Sequence, residues 1–239
     1  MFDIHSHILP DIDDGAANIE ESLQLLEEMK QQGITDVMAT PHFYPHEDSL
    51  TDFIENSEQA YKELLRAAEG RNLPRIHLGC EILYFEGMGR SQSLGELCLA
   101  DSPYLLVELT DECIGESLFT NMEYLVDNSD IIPIIAHVER YYRSKNYRKF
   151  IKLLKKENVT VQINASSVLD KTYEKVIKKL LKSGLNLIIG TDAHSVGERP
   201  PQMDKAIKFI AQKYGKSTID KILRNMNRIH HSIIADGEN

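Results

Sequence analysis

Met1-Phe2-Asp3-Ile4-His5-Ser6-His7 opens the chain: a short apolar run that ends on two histidines two residues apart. Read as a strand, its side chains alternate faces, so His5 and His7 point the same way. Two imidazoles on one side of one strand are half of a metal site. Taken alone, the pair is equally two polar residues in a turn. The reading therefore depends on what the rest of the chain sets beside it.

Six further short runs rich in Ile, Val and Leu follow, at residues 36–40, 75–80, 104–109, 131–136, 160–164 and 185–191; with residues 2–5 they make seven expected strands. Runs this apolar suit parallel strands buried on both faces. Helical patterns lie between them, over residues 18–32, 51–69, 117–127, 146–156, 167–182, 202–214 and 217–226. Asn18 caps the first, and Gly33, Gly70 and Gly184 end three of them. Strand–helix alternation implies right-handed crossovers and a parallel sheet. The expected fold is a single-domain α/β protein, residues 1–239, closed as a distorted seven-stranded (β/α)7 TIM-like barrel. An open doubly wound sheet is the alternative. Residues 81–103, with Gly87, Gly89 and Gly95, read as an irregular lid or small hairpin, and 228–239 as a frayed tail.

Composition bounds the class. With 239 residues, 42% apolar and 27% charged, the chain can bury a sizeable core. It has no apolar run of about 18 residues to span a membrane, and its N-terminus lacks the pattern of a secretory signal. Cys80, Cys98 and Cys113 read as free thiols of a reducing cytoplasm. No Gly-x-Gly-x-x-Gly or Walker loop marks a nucleotide site. The net charge of −10 is uneven: residues 1–139 carry 6 basic and 28 acidic groups, whereas 140–183 carry 13 and 3. The acidic part suits cations and the basic part an acidic partner.

The C-terminal strand ends share one face of a barrel, where active sites are built. Here they carry His5 and His7, then Asp11, Asp13 and Asp14 before Gly15; His42 after Thr40-Pro41; Glu81; Glu108; His137, followed by Glu139 and Arg140; and Asp192 and His194. A carboxylate at a buried strand end is costly unless it is paired or binds metal. The set is histidine and carboxylate without cysteine, which suits Mn²⁺, Fe or Zn²⁺ in a hydrolytic cluster. With one of the three loop aspartates and without Glu139, the set offers nine ligands, more than one ion needs, so two or three divalent ions are expected.

This order of motifs resembles the polymerase and histidinol phosphatase (PHP) superfamily from His5 to His194. In finer wording, Asp3 to Pro10 with Asp13-Asp14-Gly15, Ala39-Thr40-Pro41-His42, His137-Val138-Glu139-Arg140-Tyr141 and Thr191-Asp192-Ala193-His194 is similar to the bacterial PHP-type protein-tyrosine phosphatases of capsule and exopolysaccharide gene clusters. Val138 stands where that family usually has proline, so the fixed φ is lost there while no ligand changes.

The resemblance implies that His5, His7, Glu81 and Asp192 hold one ion. Glu81 bridges to a second with Glu108 and His137, and Asp14, His42 and His194 hold a third. Asp13 and Asp11 are the substitutes should Asp14 not serve. Manganese is the first choice of metal. Arg140 and Arg199 match the family's phosphate-binding arginines, and bidentate guanidinium contacts suit phosphoryl oxygens. The implied reaction is attack of a metal-bridging hydroxide on phosphotyrosine. The implied substrate is a phosphotyrosine protein, the tyrosine-rich tail of a bacterial tyrosine kinase, which the basic segment 143–182 would help recruit. Nucleic acid is not an expected partner, and the oligomeric state stays open. No cysteine has an arginine six residues on, which excludes the Cys-x5-Arg phosphatase mechanism. Rival readings are a small-molecule phosphatase of the histidinol phosphatase type, an amidohydrolase-like enzyme, which would want a lysine at a strand end, and a non-catalytic binder of kinase tails.

Overall fold

The computed structural model describes residues 1–157 and 159–235. In chain order its elements are β1 (Phe2–Asp3), α1 (Ile19–Gln31), β2 (Asp36–Ala39), β3 (His42–Phe43), α2 (Leu50–Ala68), β4 (Arg75–Leu78), β5 (Glu81–Leu83), β6 (Tyr104–Glu108), α3 (Glu116–Asn128), β7 (Ile132–Ile135), α4 (Tyr147–Lys156), β8 (Thr160–Asn164), α5 (Ala165–Leu169), α6 (Glu174–Leu181), β9 (Asn186–Gly190), α7 (Met203–Tyr214) and α8 (Lys216–Ala235). Every strand pair is parallel, in a three-stranded sheet β1-β2-β4 and a six-stranded sheet β3-β5-β6-β7-β8-β9. Strands β6, β8 and β9 are almost wholly buried, as their unbroken apolar runs require.

Nine segments realise the seven expected strands, because the second and third are each broken in two. Pro41 cannot donate to a ladder, and the second strand resumes beyond it as β3. The third breaks at Gly79, where a Cβ would lie 2.7 Å from Leu99 Cδ2 and 3.1 Å from its Cα. Backbone bonds carry the pairing across both breaks: Gly79 N to Ala39 O at 2.9 Å and Glu81 N to Pro41 O at 3.0 Å.

The first and last strands meet at their C-terminal ends. Ser6 bridges Ala193, His7 N donates to Ala193 O at 2.8 Å, and Asp192 N donates to His5 O at 2.9 Å. Buried Asp3 accepts from Thr191 N at 2.9 Å and from Thr191 Oγ1 at 2.6 Å. These contacts complete the ring, and the result is a distorted (β/α)7 barrel rather than an open sheet.

Three expectations are corrected. Residues 167–182 do not form one helix: Asp170, extended at φ −80 and ψ 123, separates α5 from a 3₁₀ turn, Lys171–Tyr173, and α6. Its carboxylate accepts from Thr172 N at 2.7 Å, which favours the restart. Through Ala235 the expected frayed tail is helix, with Ile229 and Ile233 buried; residues 236–239 lie outside the described residues. Between residues 84 and 103 the chain forms two 3₁₀ turns, Met88–Arg90 and Leu94–Leu97, not a hairpin, and Met88, Leu94, Leu97 and Leu99 are buried. Among the described residues no helix is long and apolar enough to cross a membrane.

Candidate metal centre

All nine sequence-predicted ligand residues converge at the C-terminal strand ends. His5 Nε2 lies 3.1 Å from His7 Nε2 and 3.1 Å from Glu81 Oε2, and both histidines are 3.5 Å from Asp192 Oδ1. The other oxygen of Glu81 is 3.0 Å from His137 Nε2, which also lies 3.3 Å from Glu108. His194 Nε2 is 3.2 Å from Asp14, and His42 Nε2 is 3.6 Å from the same carboxylate. His42 faces two ways, since its Nδ1 lies 3.2 Å from Glu81 and 3.7 Å from Glu108. Three groups bring their ligand atoms within 4.8 Å of one another: His5–His7–Glu81, His42–Glu81–Glu108 and His7–Asp14–His42–His194. The first two share Glu81, as a bridging carboxylate would require.

Backbone geometry aims these side chains. His5 and His7 lie just past β1, on either side of the Ser6 bridge to Ala193, and their rings are 5.2 Å apart. His137 and Asp192 leave β7 and β9 in the left-handed region, at φ +30 and +52, which is costly for non-glycine residues and recurs at functional sites. At Gly15 a Cβ would lie 2.2 Å from His7 O, so only glycine lets the 8–15 loop fold back under His7.

The same loop separates its adjacent aspartates. Asp13 Oδ2 meets His7 Nδ1 at 2.7 Å and accepts from His42 N at 3.0 Å, while its Oδ1 accepts from Gly15 N at 2.9 Å. Asp13 thus fixes the far side of the His7 ring, a role that ligand histidines commonly require. Asp14, 65% exposed, is the aspartate that faces His42 and His194. Asp11 joins none of the three groups.

Sequence reasoning missed several supporting residues. Tyr141 Oη lies 3.0 Å from His137 Nδ1 and accepts from Leu109 N, which turns His137 Nε2 toward the carboxylates. Gln162 accepts from His137 N at 2.7 Å and lies 3.3 Å from His5 Nδ1. Asn164 donates to Asp192 Oδ2 at 2.6 Å. The signal was present in the sequence: Gln162 and Asn164 are alternate polar positions in an otherwise buried strand, so they share one face.

Arg140 and Arg199 reach that same Asp192 oxygen, at 2.5 and 2.9 Å, and each is 38% exposed. The Arg199 loop closes on itself, with His194 N donating to Arg199 O at 3.0 Å and Arg199 N to Ser195 Oγ at 3.1 Å. Two guanidiniums therefore share one wall of the cluster.

The charge balance fits cations. Burial opposes charge on His7, but Asp13 and Glu81 outweigh it and lift the imidazole to about 10. Burial likewise opposes charge on His137, and Glu108 and Glu81 raise it to about 9. Against burial, the histidines hold Glu81 and Asp192 below the usual carboxylate range. Burial and then the charge on His7 push His194 down to about 3. Glu81 Oε2, His42 Nδ1 and His194 Nε2 are buried and, among the described residues, have no hydrogen-bond partner. Buried polar atoms are normally satisfied; here the orphans point into one cluster of hard and borderline donors, and divalent metal ions fit it. Thiol chemistry does not fit: burial raises Cys80 and Cys113 and pushes Cys98 to about 11, which disfavours the thiolate near neutral pH.

Known proteins share this fold. The crystal structures of YwqE from Bacillus subtilis and CpsB from Streptococcus pneumoniae, described as unique metal-dependent tyrosine phosphatases, include a chain that matches with a TM-score of 0.79 at 24% identity, over 98% of this chain and 94% of that one. Histidinol phosphate phosphatase from Lactococcus lactis, solved with zinc, L-histidinol and phosphate, matches less closely, with a TM-score of 0.58 at 15% identity over 89% of this chain and 94% of that one. In sequence, the tyrosine-protein phosphatase CpsB of Streptococcus pneumoniae is 30% identical over 229 residues, 90% of this chain and 91% of its own. The sequence model for capsular polysaccharide synthesis, CpsB/CapC, matches residues 1–230. With the barrel, the strand-end cluster and the arginine wall in place across that span, the chain belongs to the CpsB/CapC family of capsular polysaccharide synthesis.

Proposed function

We propose that this chain is a metal-dependent protein-tyrosine phosphatase acting as one domain. The observation that carries the reading is the convergence of nine histidine and carboxylate residues beside the paired guanidiniums of Arg140 and Arg199. His5, His7, Glu81 and Asp192 would hold one ion, Glu81, Glu108 and His137 a second, and Asp14, His42 and His194 a third. Manganese suits this oxygen- and imidazole-rich set best, with iron or zinc as alternatives. When bound, such ions supply Lewis acidity and an activated water for hydrolysis of a phosphoester.

The chain's own groups do the rest. Arg140 and Arg199 bind the non-bridging phosphoryl oxygens and offset charge as it builds there. Asp192 holds both guanidiniums on the cluster side. Tyr44 stacks on His42, 5.2 Å between rings at 19°, and gives the entrance an aromatic wall suited to an aryl ester. A tyrosine phenolate has a pKa of about 10, so it departs without a dedicated general acid. The phosphotyrosine lies on a bacterial tyrosine kinase that governs capsule or exopolysaccharide synthesis, and the enzyme works in the cytoplasm.

Metal analysis by anomalous scattering, combined with turnover assays, tests the reading. Chelation abolishes turnover, added divalent ion restores it, and thiol alkylation leaves it unchanged; activity that survives chelation would overturn the proposal. Faster turnover of histidinol phosphate than of a phosphotyrosine peptide would move the assignment to a small-molecule phosphatase.

A further inference from the structure

Beside the metal centre lies a groove that catalysis does not use. The 3₁₀ turn Val138–Arg143 carries Arg140, and two residues on, Tyr142 begins the wall of a cavity of about 750 Å³ between α4 and α6. Tyr173 meets Tyr142 edge-on at 6.1 Å across its head. Since α4 and α6 both descend from the C-terminal strand ends, the groove starts at the active-site rim and runs down the outside of the barrel.

Its floor is apolar, made of Ile151, Val176 and Leu180. Its rim is basic: Lys145, Arg148 and Lys152 on one side face Lys175 and Lys179 on the other. All five are exposed, and among the described residues none has an acidic partner within 4 Å. On α4 itself, Lys149 and Lys156 have acidic partners in Glu116 and Glu123, and Lys213 pairs with Glu174. Arg148–Lys152 and Lys175–Lys179 are like charges at i,i+4, an arrangement that costs a helix a few tenths of a kcal/mol. A separate acidic hollow, lined by Asp11, Glu47, Asp48 and Asp52, borders His42.

Resting on the phosphatase reading above, we propose that the α4–α6 groove docks an acidic segment of the substrate protein, next in sequence to its phosphotyrosine. Carboxylates meet the lysine rim, and the apolar residues between them lie on the Ile151–Val176–Leu180 floor. The acidic hollow repels the same segment, so the chain can leave the site in one direction only. The apolar floor and the molecule's net charge of −10 favour a peptide over nucleic acid.

The test compares the wild type with K152E/K175E/K179E in the metal-loaded full chain. The substrates are a phosphotyrosine peptide with Glu- and Leu-rich flanks, its Gln-for-Glu counterpart and p-nitrophenyl phosphate. Binding of the unphosphorylated acidic peptide is followed by fluorescence anisotropy at low and high salt. The variant raises KM for the acidic peptide about tenfold, roughly a factor of two per rim charge, and leaves kcat and both other substrates unchanged. Anisotropy shows salt-sensitive binding that the variant loses. Equal changes on all three substrates, or equal wild-type KM for the two peptides, overturn the docking proposal. Tighter binding of a DNA oligonucleotide of matched charge, or of phosphatidylserine vesicles, also overturns it. If no aryl phosphate is hydrolysed, the phosphatase reading fails, and the anisotropy result still decides the groove.

Discussion

His7 is held from both ends of its ring, by Asp13 at Nδ1 and beside Glu81 and Asp192 at Nε2. An Asp13→Asn substitution keeps the shape but weakens that support. Metal affinity then falls about 10- to 100-fold, the range for such supporting groups, while the circular dichroism of the fold stays intact; unchanged affinity by titration calorimetry would show Asp13 to be dispensable. The division of labour between Asp13 and Asp14 was not legible in the sequence. Adjacent residues in a tight loop point apart, and only the folded contacts from His42 N and Gly15 N show which one turns inward. That His5, His7, His42 and His194 meet at one face was legible because each sits at or just past a recognisable strand end.

At the level of elements, the apolar runs located the strands well and the helix limits less so. The break at Asp170 was hidden because a local carboxylate-to-backbone bond competes with an otherwise regular helical pattern. Helix α8 outran its expected end because Ile222, Met226, Ile229 and Ile233 keep helical spacing past a polar stretch. Its far end ties back to β1 and β2: His230 stacks on Phe2 at 4.8 Å and reaches Asp36 at 3.3 Å. Asp36 is the anchor at this end of the barrel. Burial pushes its carboxyl up, but Arg75 at 2.7 Å, Thr35 at 2.8 Å and His77 at 3.3 Å win and hold it at about 2. Its folded pKa is the lower one, since an unfolded aspartate titrates near about 3.9. The ionised form therefore adds about 2 kcal/mol of stability above about pH 5, which is lost as pH falls toward about 2. Urea midpoints of Asp36→Asn should sit well below wild type at neutral pH and converge with it as the buffer is acidified; a gap independent of pH would remove Asp36 as the source.

At the level of the whole molecule, the distorted barrel follows from parallel apolar strands, while its manner of closure does not. Asp3 reads as an unremarkable acid beside a His-x-His pair; only folding reveals it buried against Thr191. Thr191→Val removes the 2.6 Å donor to that buried carboxylate and costs about 1–3 kcal/mol. Chemical denaturation measures the loss directly, and a variant as stable as wild type would mean that backbone bonds alone seal the ring.

That seal joins residues 188 apart in sequence. On the ribosome, Asp3 is made 188 residues before Thr191. Contacts of such long range are slow to form and late to reward the chain. Asp192 and His194 arrive with the same segment, so the last corner of the strand-end cluster and the last stitch of the barrel are synthesised together. A chain truncated before Thr191 lacks both, and the strand-end cluster assembles only once that segment has been made.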